Sequence, residues 1–581
     1  MNPSKSHRPM RVAGLRKGRR YGVPRTMIER AAERRSVGDW RGACAAADVA
    51  VDLDLRALRR AHGAEFTERL LDDLHHLVPD LVRWHFPRFW HGDGRLLPGQ
   101  RLLLSRPGGD GGPWLTVHRA DRHTYGHRRL VLKAAEHTWA DILLAPGESA
   151  MRVSHWENVP HVWETSRHLW DSRSVGEARE RWGGGPDRAP FLNPDGTPRT
   201  VDGLPTADPG PGDPAARTEW IDGLHRAGRV VEAFAAAGIG FDPAPVEMEY
   251  AGPVDPVEAL SYTPLAVSRL VGEVERLAEA GFGDVHWFPY DADGRFVVER
   301  SPDGSVSLRL EAWTSWKKNG DRSILPEVCR IPSIDVDVVR DGMSPDELHP
   351  LVREAIAPGR GPADGPVGPL PPPAPEPVRV RCGGEWHTVA HADGRLSIPH
   401  TGEEQDREAA LRALGGSAVG CHGAREAWST GEGRLPRALA RLRDDLFDRV
   451  KQGDGEALLA YLDAGGDPRV RDRGGRNLLH YLHLLDHEAL LPRLLAGGAD
   501  LEARDAEEQT PLFRITRMGG PPGLARALLA AGARTEDIGG GSRHGESFEE
   551  AVDHRTPMSE VSDVSEAERR EWEALVEEVR R

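Results

Sequence analysis

Apolar residues recur at helical spacing along 25–35, 54–62 and 64–77, and each run is predicted as a helix; in the last, Phe66, Leu70, Leu74 and Leu77 share one face. Strand-like runs follow at 101–104, 114–117 and 130–133. The segment 161–170 reads as helical again, with Val162, Trp163, Ser166, Leu169 and Trp170 on one side. Further on, helices are predicted at 219–237 and 264–280, the second with Thr263 as N-cap and Pro264 in its first position. A meander comes next: strands at 284–290, 295–300 and 305–312, turned at Asp293-Gly294 and Asp303-Gly304. Ser344 and Glu347 have the spacing of a capping box that opens another helix. A smaller alternating pair, 378–382 and 385–391, turns at Asp393-Gly394 and returns through 396–398, and Thr401 with Glu404 caps the helix behind it.

Polar and Pro/Gly-rich stretches punctuate this pattern. Residues 183–216 and 357–377 hold few large apolar side chains and are expected to be linkers, the second stiffened by Pro371, Pro372 and Pro373. With a loose stretch at 539–564, they divide the chain into α+β regions at 21–182 and 217–356, a hairpin-plus-helix unit at 378–438, and a helical end. Residues 1–20 carry seven bases and no acid and are expected to be a disordered tail, and residues 565–581 an amphipathic helix capped by Ser565 and Glu568.

The helical end is self-similar. Gly465-Gly466-Asp467 returns 33 residues later as Gly498-Ala499-Asp500, and the stretch from Asp472 to His480 returns as Asp505 to Phe513. Gly532-Ala533 closes a third copy. Thr510 and Pro511 open a helix, and Gly498 and Gly532 stand where a left-handed cap is wanted. Each helix pair has an apolar face that a neighbour must cover, so the copies must stack.

This lettering resembles the ankyrin repeat family over about 440–538, and the whole chain resembles uncharacterised ankyrin-repeat proteins of high-GC bacteria. Departures include Asn477-Leu478 in place of Thr-Pro, Phe513 in place of His, Glu508 in place of the hairpin Gly, and an extra residue in the loop 518–523. The fold class expected is therefore multidomain α+β followed by a short all-α ankyrin-type solenoid. The resemblance implies protein binding through hairpin tips and first helices. The matching positions are Arg473, Arg476, Leu484 and Leu485 in one copy and Glu507, Gln509, Arg517 and Met518 in the next. Leu484, Leu485 and Met518 would form an apolar centre with a charged rim; the competing expectation is that they pack on the rest of this chain.

Composition narrows the chemistry. With 91 acids against 76 bases the net charge is −15, which argues against a nucleic-acid coat except through the basic tail. No apolar run is long enough to cross a bilayer, so no membrane role and a cytoplasmic location are expected. The four cysteines (Cys44, Cys329, Cys382, Cys421) stand far apart without a CxxC, so neither disulfides nor a zinc knuckle is expected, and no metal or cofactor. Walker A, HExxH and GxSxG motifs are absent. His75, His76, His85 and His91 as ligands, or His118, His123 and His127 as acid–base groups, match no established spacing. His480, His483 and His487 partly share a helical face and read as structural. Trp156, Trp163 and Trp170, seven apart, read as a buried stripe rather than a stacking platform. The expectation is a cytosolic adaptor or scaffold, with an enzyme or toxin-like effector sited in 21–356 as the alternative.

Overall fold

A computed structural model describes the chain except residues 1–13, 90–93, 98, 110–111, 120–128, 137–160, 250–251, 291–293, 313–322, 332–333, 341–342, 361–375, 393–394, 416–418, 519, 540–544 and 555–565. His91, His123, His127, Trp156, Asp293, the Asp393-Gly394 turn, Ser565 and most of the proline-rich linker therefore lie outside the described residues, and nothing of the Glu568 side chain is described. The fold is mixed α and β in several layers, and no described helix is long and apolar enough to cross a membrane.

The first sheet joins β1 (Val49–Asp52), β2 (Arg101–Ser105), β3 (Trp114–Arg119), β4 (Leu130–Ala135) and β5 (His161–Val162) in the order β1-β4-β3-β2-β5. Strands β2, β3 and β4 are antiparallel, and the outer strands pair parallel, β1 on β4 and β5 on β2. The second sheet joins β6 (Ile239–Phe241), β9 (Val285–Pro289), β10 (Gly294–Arg300), β11 (Val306–Ala312) and β12 (Ser323–Ile324). A short ribbon, β7 (Val246–Met248) with β8 (Gly252–Val254), lies between β6 and β9 in sequence. The second sheet runs β6-β11-β10-β9-β12, again with an antiparallel meander and parallel outer strands.

The two sheets thus have one topology, and the chain entering them has one pattern. Residues 38–52, GDWRGACAAADVAVD, match 228–242, GRVVEAFAAAGIGFD, at an offset of 190. Gly38 and Gly228 take positive φ (74° and 78°), helices Trp40–Ala46 and Val230–Ala236 follow, and Asp48 and Gly238 turn into the strand at φ 56° and 75°. Residues 21–182 and 217–356 are built round two copies of one unit, a duplication that the 33-residue period did not announce.

Several predicted elements shift. The helices at 54–62 and 64–77 form one stretch, Leu55–His76, kinked where Gly63 adopts φ 90°. The helix predicted at 219–237 is two, Pro214–Arg226 and Val230–Ala236, parted at Gly228. Thr263 closes the helix Pro256–Tyr262 instead of opening the next one; Asp255 and Pro256 supply that helix with a cap and a first-turn proline eight residues before Thr263 and Pro264. Residues 161–170 are a strand end and a 3-10 turn, although Val162, Trp163, Ser166, Leu169 and Trp170 are all buried as the stripe required.

Parts of three segments expected to be loose are packed, among them 539–564, where the helix Phe548–Asp553 buries Phe548 and Ala551. Within 183–216, Ala189, Phe191 and Leu192 are buried, and Glu219 receives the Arg188 guanidinium and the Phe191 N–H. In the basic tail, residues 14–22 are helical. Arg19 there is buried against Asp335, which also accepts from Trp84 Nε1 (3.0 Å) and faces His85 Nε2 (2.9 Å). A cation that finds a carboxylate deep in the fold anchors a tail that composition alone assigns to solvent.

The third sheet is β13 (Val378–Cys382), β14 (Glu385–Ala392) and β15 (Arg395–Ser397), antiparallel throughout. Helices Gly402–Ala413 and Gly420–Thr430 follow it, the first opened by Thr401 and Glu404 bonding reciprocally. From Arg437 onward the named elements are helices, and their core is continuous with the third sheet through Val380, Val389, Leu396 and Trp428. The final helix, Glu566–Arg580, buries Trp572, Leu575 and Val576 against this core.

Candidate functional site

The C-terminal pairs are Arg437–Lys451 with Gly455–Asp463, Leu478–Leu484 with His487–Ala496, and Pro511–Arg517 with Pro522–Ala530. The first helix of the middle pair is 3-10 rather than α: Asn477 caps it, with His480 Nδ1 facing both the Asn477 side chain and its backbone N–H, and no proline pre-sets the first turn.

Between pairs the chain makes two matching hairpins. Asp472 N–H bonds Arg476 O (2.9 Å) and Asp505 N–H bonds Gln509 O (3.0 Å). Each aspartate accepts two further amides inside its own turn, Gly474 and Arg476 in one, Glu507 and Gln509 in the other. Burial pushes both carboxyls up. Lys451 with the Tyr481 hydroxyl at Asp472, and the turn amides with Arg476 at Asp505, outweigh it and hold both below the ordinary carboxylate value. Arg476 then ties hairpin to hairpin, at 2.9 Å from Asp505 and 3.2 Å from Glu507. His480 Nε2 reaches Gln509 O (3.1 Å), and burial lowers its imidazole to about 4. Glu508, which departs from the hairpin pattern, adopts φ 58°, the same left-handed turn that Gly475 makes at 75°.

The eight candidate residues separate into two groups. At the tips, Arg473 and Glu507 are exposed, with Arg473 paired to Asp444 at 2.6 Å; Arg476 and Gln509 are half-buried, and Arg517 is exposed on the last turn of its helix. On the first-helix side, Leu484 is buried in the core and Leu485 is half-buried beside the Gly455 helix, so neither offers an apolar contact centre. Met518 lines a cleft of about 130 Å³ with Tyr481, His483, Arg514 and Arg95, the last from the N-terminal region. That side is met by this chain: Lys17 pairs with Asp448 (2.6 Å), Tyr21 donates to Asp445 (2.9 Å), and Arg30 pairs with Glu456 (2.7 Å). Leu484 and Leu485 thus pack within the helical end itself, and Met518 faces Arg95 of the N-terminal region.

The comparisons with family models, curated proteins and solved structures give no match.

Ionisable groups of the two duplicated units go into buried pairs. Arg181 meets Glu273, Asp80 meets His349, and His85 meets Asp335. His75 and His76 are used locally, each Nδ1 facing the carbonyl four residues back. One cluster of donor atoms bears on the expectation of no metal site. One ligand atom from each of Cys382, His387, His400 and Cys421 lies within 4.8 Å of the other three. Intervals of 5, 13 and 21 residues hid this group, because the donors come from two strands, a loop and a helix rather than from paired knuckles.

Proposed function

We propose that residues 440–538 are an ankyrin-type module that binds a protein through its hairpin tips, making this chain an adaptor. The observation that carries the reading is the register of the two hairpins: the same aspartate-centred turn twice, cross-linked by Arg476, with Arg473, Glu507 and Glu508 turned to solvent. A rigid row of tips loses little freedom on binding, which favours recognition at modest contact area. At the far end of the row Glu507, Glu508, Glu536 and Asp537 are exposed, Glu507 paired with Arg476 and Asp537 with Arg504, so the tips offer a partner charges of both signs. The first-helix side, met by Lys17, Tyr21 and Arg95, contributes to stability instead.

The test is a photo-crosslinking amino acid placed in the full chain at Arg473, Glu507 or Glu508, and at Glu488 on an outer helix as comparator. Protein adducts confined to the first three positions, and weakened by salt, support the reading. Adducts at all four positions, or none, overturn it.

A further inference from the structure

We propose that Cys382, His387, His400 and Cys421 form a structural zinc site that fastens the third sheet to the helical array. The strand alternation places three of the donors. On β13 and β14, Cys382 pairs with Glu385 and Val380 with His387, so Cys382 and His387 point to one face, with the buried Val380 and Val389. Leu396 within β15 and Ile398 just after it are buried, and His400 follows two residues on. Two glycines with positive φ, Gly383 (60°) and Gly384 (92°), make the tight turn that brings β14 back beside Cys382. The fourth donor, Cys421, opens the helix Gly420–Thr430. Gly420 takes φ 61° there and passes so close that an added Cβ would stand 2.6 Å from Cys382 Sγ. A side chain at 420 would keep the helix start, and with it Cys421, away from the strand.

The spacings suit a tetrahedral ion. With Zn–N near 2.05 Å and Zn–S near 2.3 Å, tetrahedral edges are about 3.3 Å between nitrogens and about 3.6 Å between nitrogen and sulfur. His387 Nδ1 and His400 Nε2 are 3.1 Å apart, and Cys382 Sγ is 3.6 Å from His400 Nε2. With Nε2 directed inward, the other His400 nitrogen faces Glu404 Oε2 at 3.6 Å, the carboxylate that orients a ligating imidazole. Gln405 holds the His400 carbonyl (2.7 Å). Two thiolates and two neutral imidazoles balance a dication, the two thiol protons passing to solvent on binding. A mixed sulfur–nitrogen set of four selects zinc over magnesium or calcium.

The ion would have a mechanical role. The Gly420–Thr430 helix that carries Cys421 lies on the first hairpin, its Trp428 carbonyl accepting Arg471 N–H (2.9 Å). Leu396 N–H reaches Asp467 (3.2 Å) from the other side. Fastening strand to helix therefore closes the open end of the helix pairs, and a short array depends on such caps.

The test uses the full chain purified under reducing conditions. Elemental analysis is expected to find one zinc per chain, lost in Cys421→Ala and His400→Ala. His422→Ala should retain it, although that ring lies 4.6 Å from His400 between centroids. Cobalt exchanged into the wild-type chain should give tetrahedral d–d bands with thiolate charge transfer, a readout of donor atoms that needs no variant to fold. A metal-free wild type that takes up neither Zn²⁺ nor Co²⁺ on titration overturns the proposal. So does octahedral cobalt without thiolate bands, or a Cys382–Cys421 disulfide found in place of metal.

Discussion

The two hairpins allow a paired experiment on one backbone position. Gly475 and Glu508 occupy equivalent sites at φ 75° and 58°. A side chain there costs roughly 1–2 kcal/mol relative to right-handed backbone, while glycine gives up about 0.5–1 kcal/mol of unfolded-state entropy. Around Gly475 an added Cβ would find its nearest atoms, Ala506 N and Asp505 Cα, at 3.5 Å, so Gly475→Ala meets no clash and reports backbone strain alone. We therefore expect Gly475→Ala to destabilise the local structure by about 1 kcal/mol and Glu508→Gly to stabilise it by about 1 kcal/mol. The Glu508 side chain is exposed, so its loss removes little packing. Native-state hydrogen exchange of peptides covering 472–481 and 505–513 is the assay, since 1 kcal/mol changes the open population about fivefold. A Glu508→Gly chain that exchanges faster, or a Gly475→Ala chain that does not, would refute the equivalence of the two turns.

His480 and His286 both stay neutral in the fold, each lowered to about 4 by burial, while unfolded histidine takes a proton near 6.5. The unfolded chain thus binds more protons between those values, and stability should fall as pH drops from about 6.5 to 4, by of the order of 3 kcal/mol per residue; a flat melting temperature across that window would contradict it. At Asp335, burial alone would raise the carboxyl, but Arg19, His85 and the Trp84 N–H together hold it well below its ordinary value. Asp335→Asn keeps the shape and leaves Arg19 without its counter-charge, so a loss of about 3–5 kcal/mol and early proteolysis of residues 14–22 are expected; wild-type resistance to protease would count against the anchor. Gly420→Ala should weaken zinc retention in a chelator competition although no ligand is changed, and unaltered zinc release would show that the close approach to Cys382 is dispensable.

Much of the local structure was readable from residue order. The meander strands, the Thr401–Glu404 capping box and the 33-residue period each depend on neighbours within a few positions or on exact recurrence, and the hairpins at 472–476 and 505–509 follow that period. The duplication of residues 38–52 at 228–242 was also present as letters, but its copies differ at every position except small residues and one aspartate, and no motif drew attention to it.

What the tertiary structure decided is the fate of groups whose partners are far away in sequence. Arg19 reads as part of a solvated tail until Asp335, 316 residues on, is brought against it. Leu484 reads as an interface residue until the neighbouring helix pairs bury it. Cys382, His387, His400 and Cys421 read as scattered donors until the turn at Gly383-Gly384 and the close pass of Gly420 bring them together. Periodicity reports which side of an element is apolar, since that depends on the element alone. Which surface then covers that side, and which charges and ligands meet across it, depends on packing between elements, and local spacing carries no record of it.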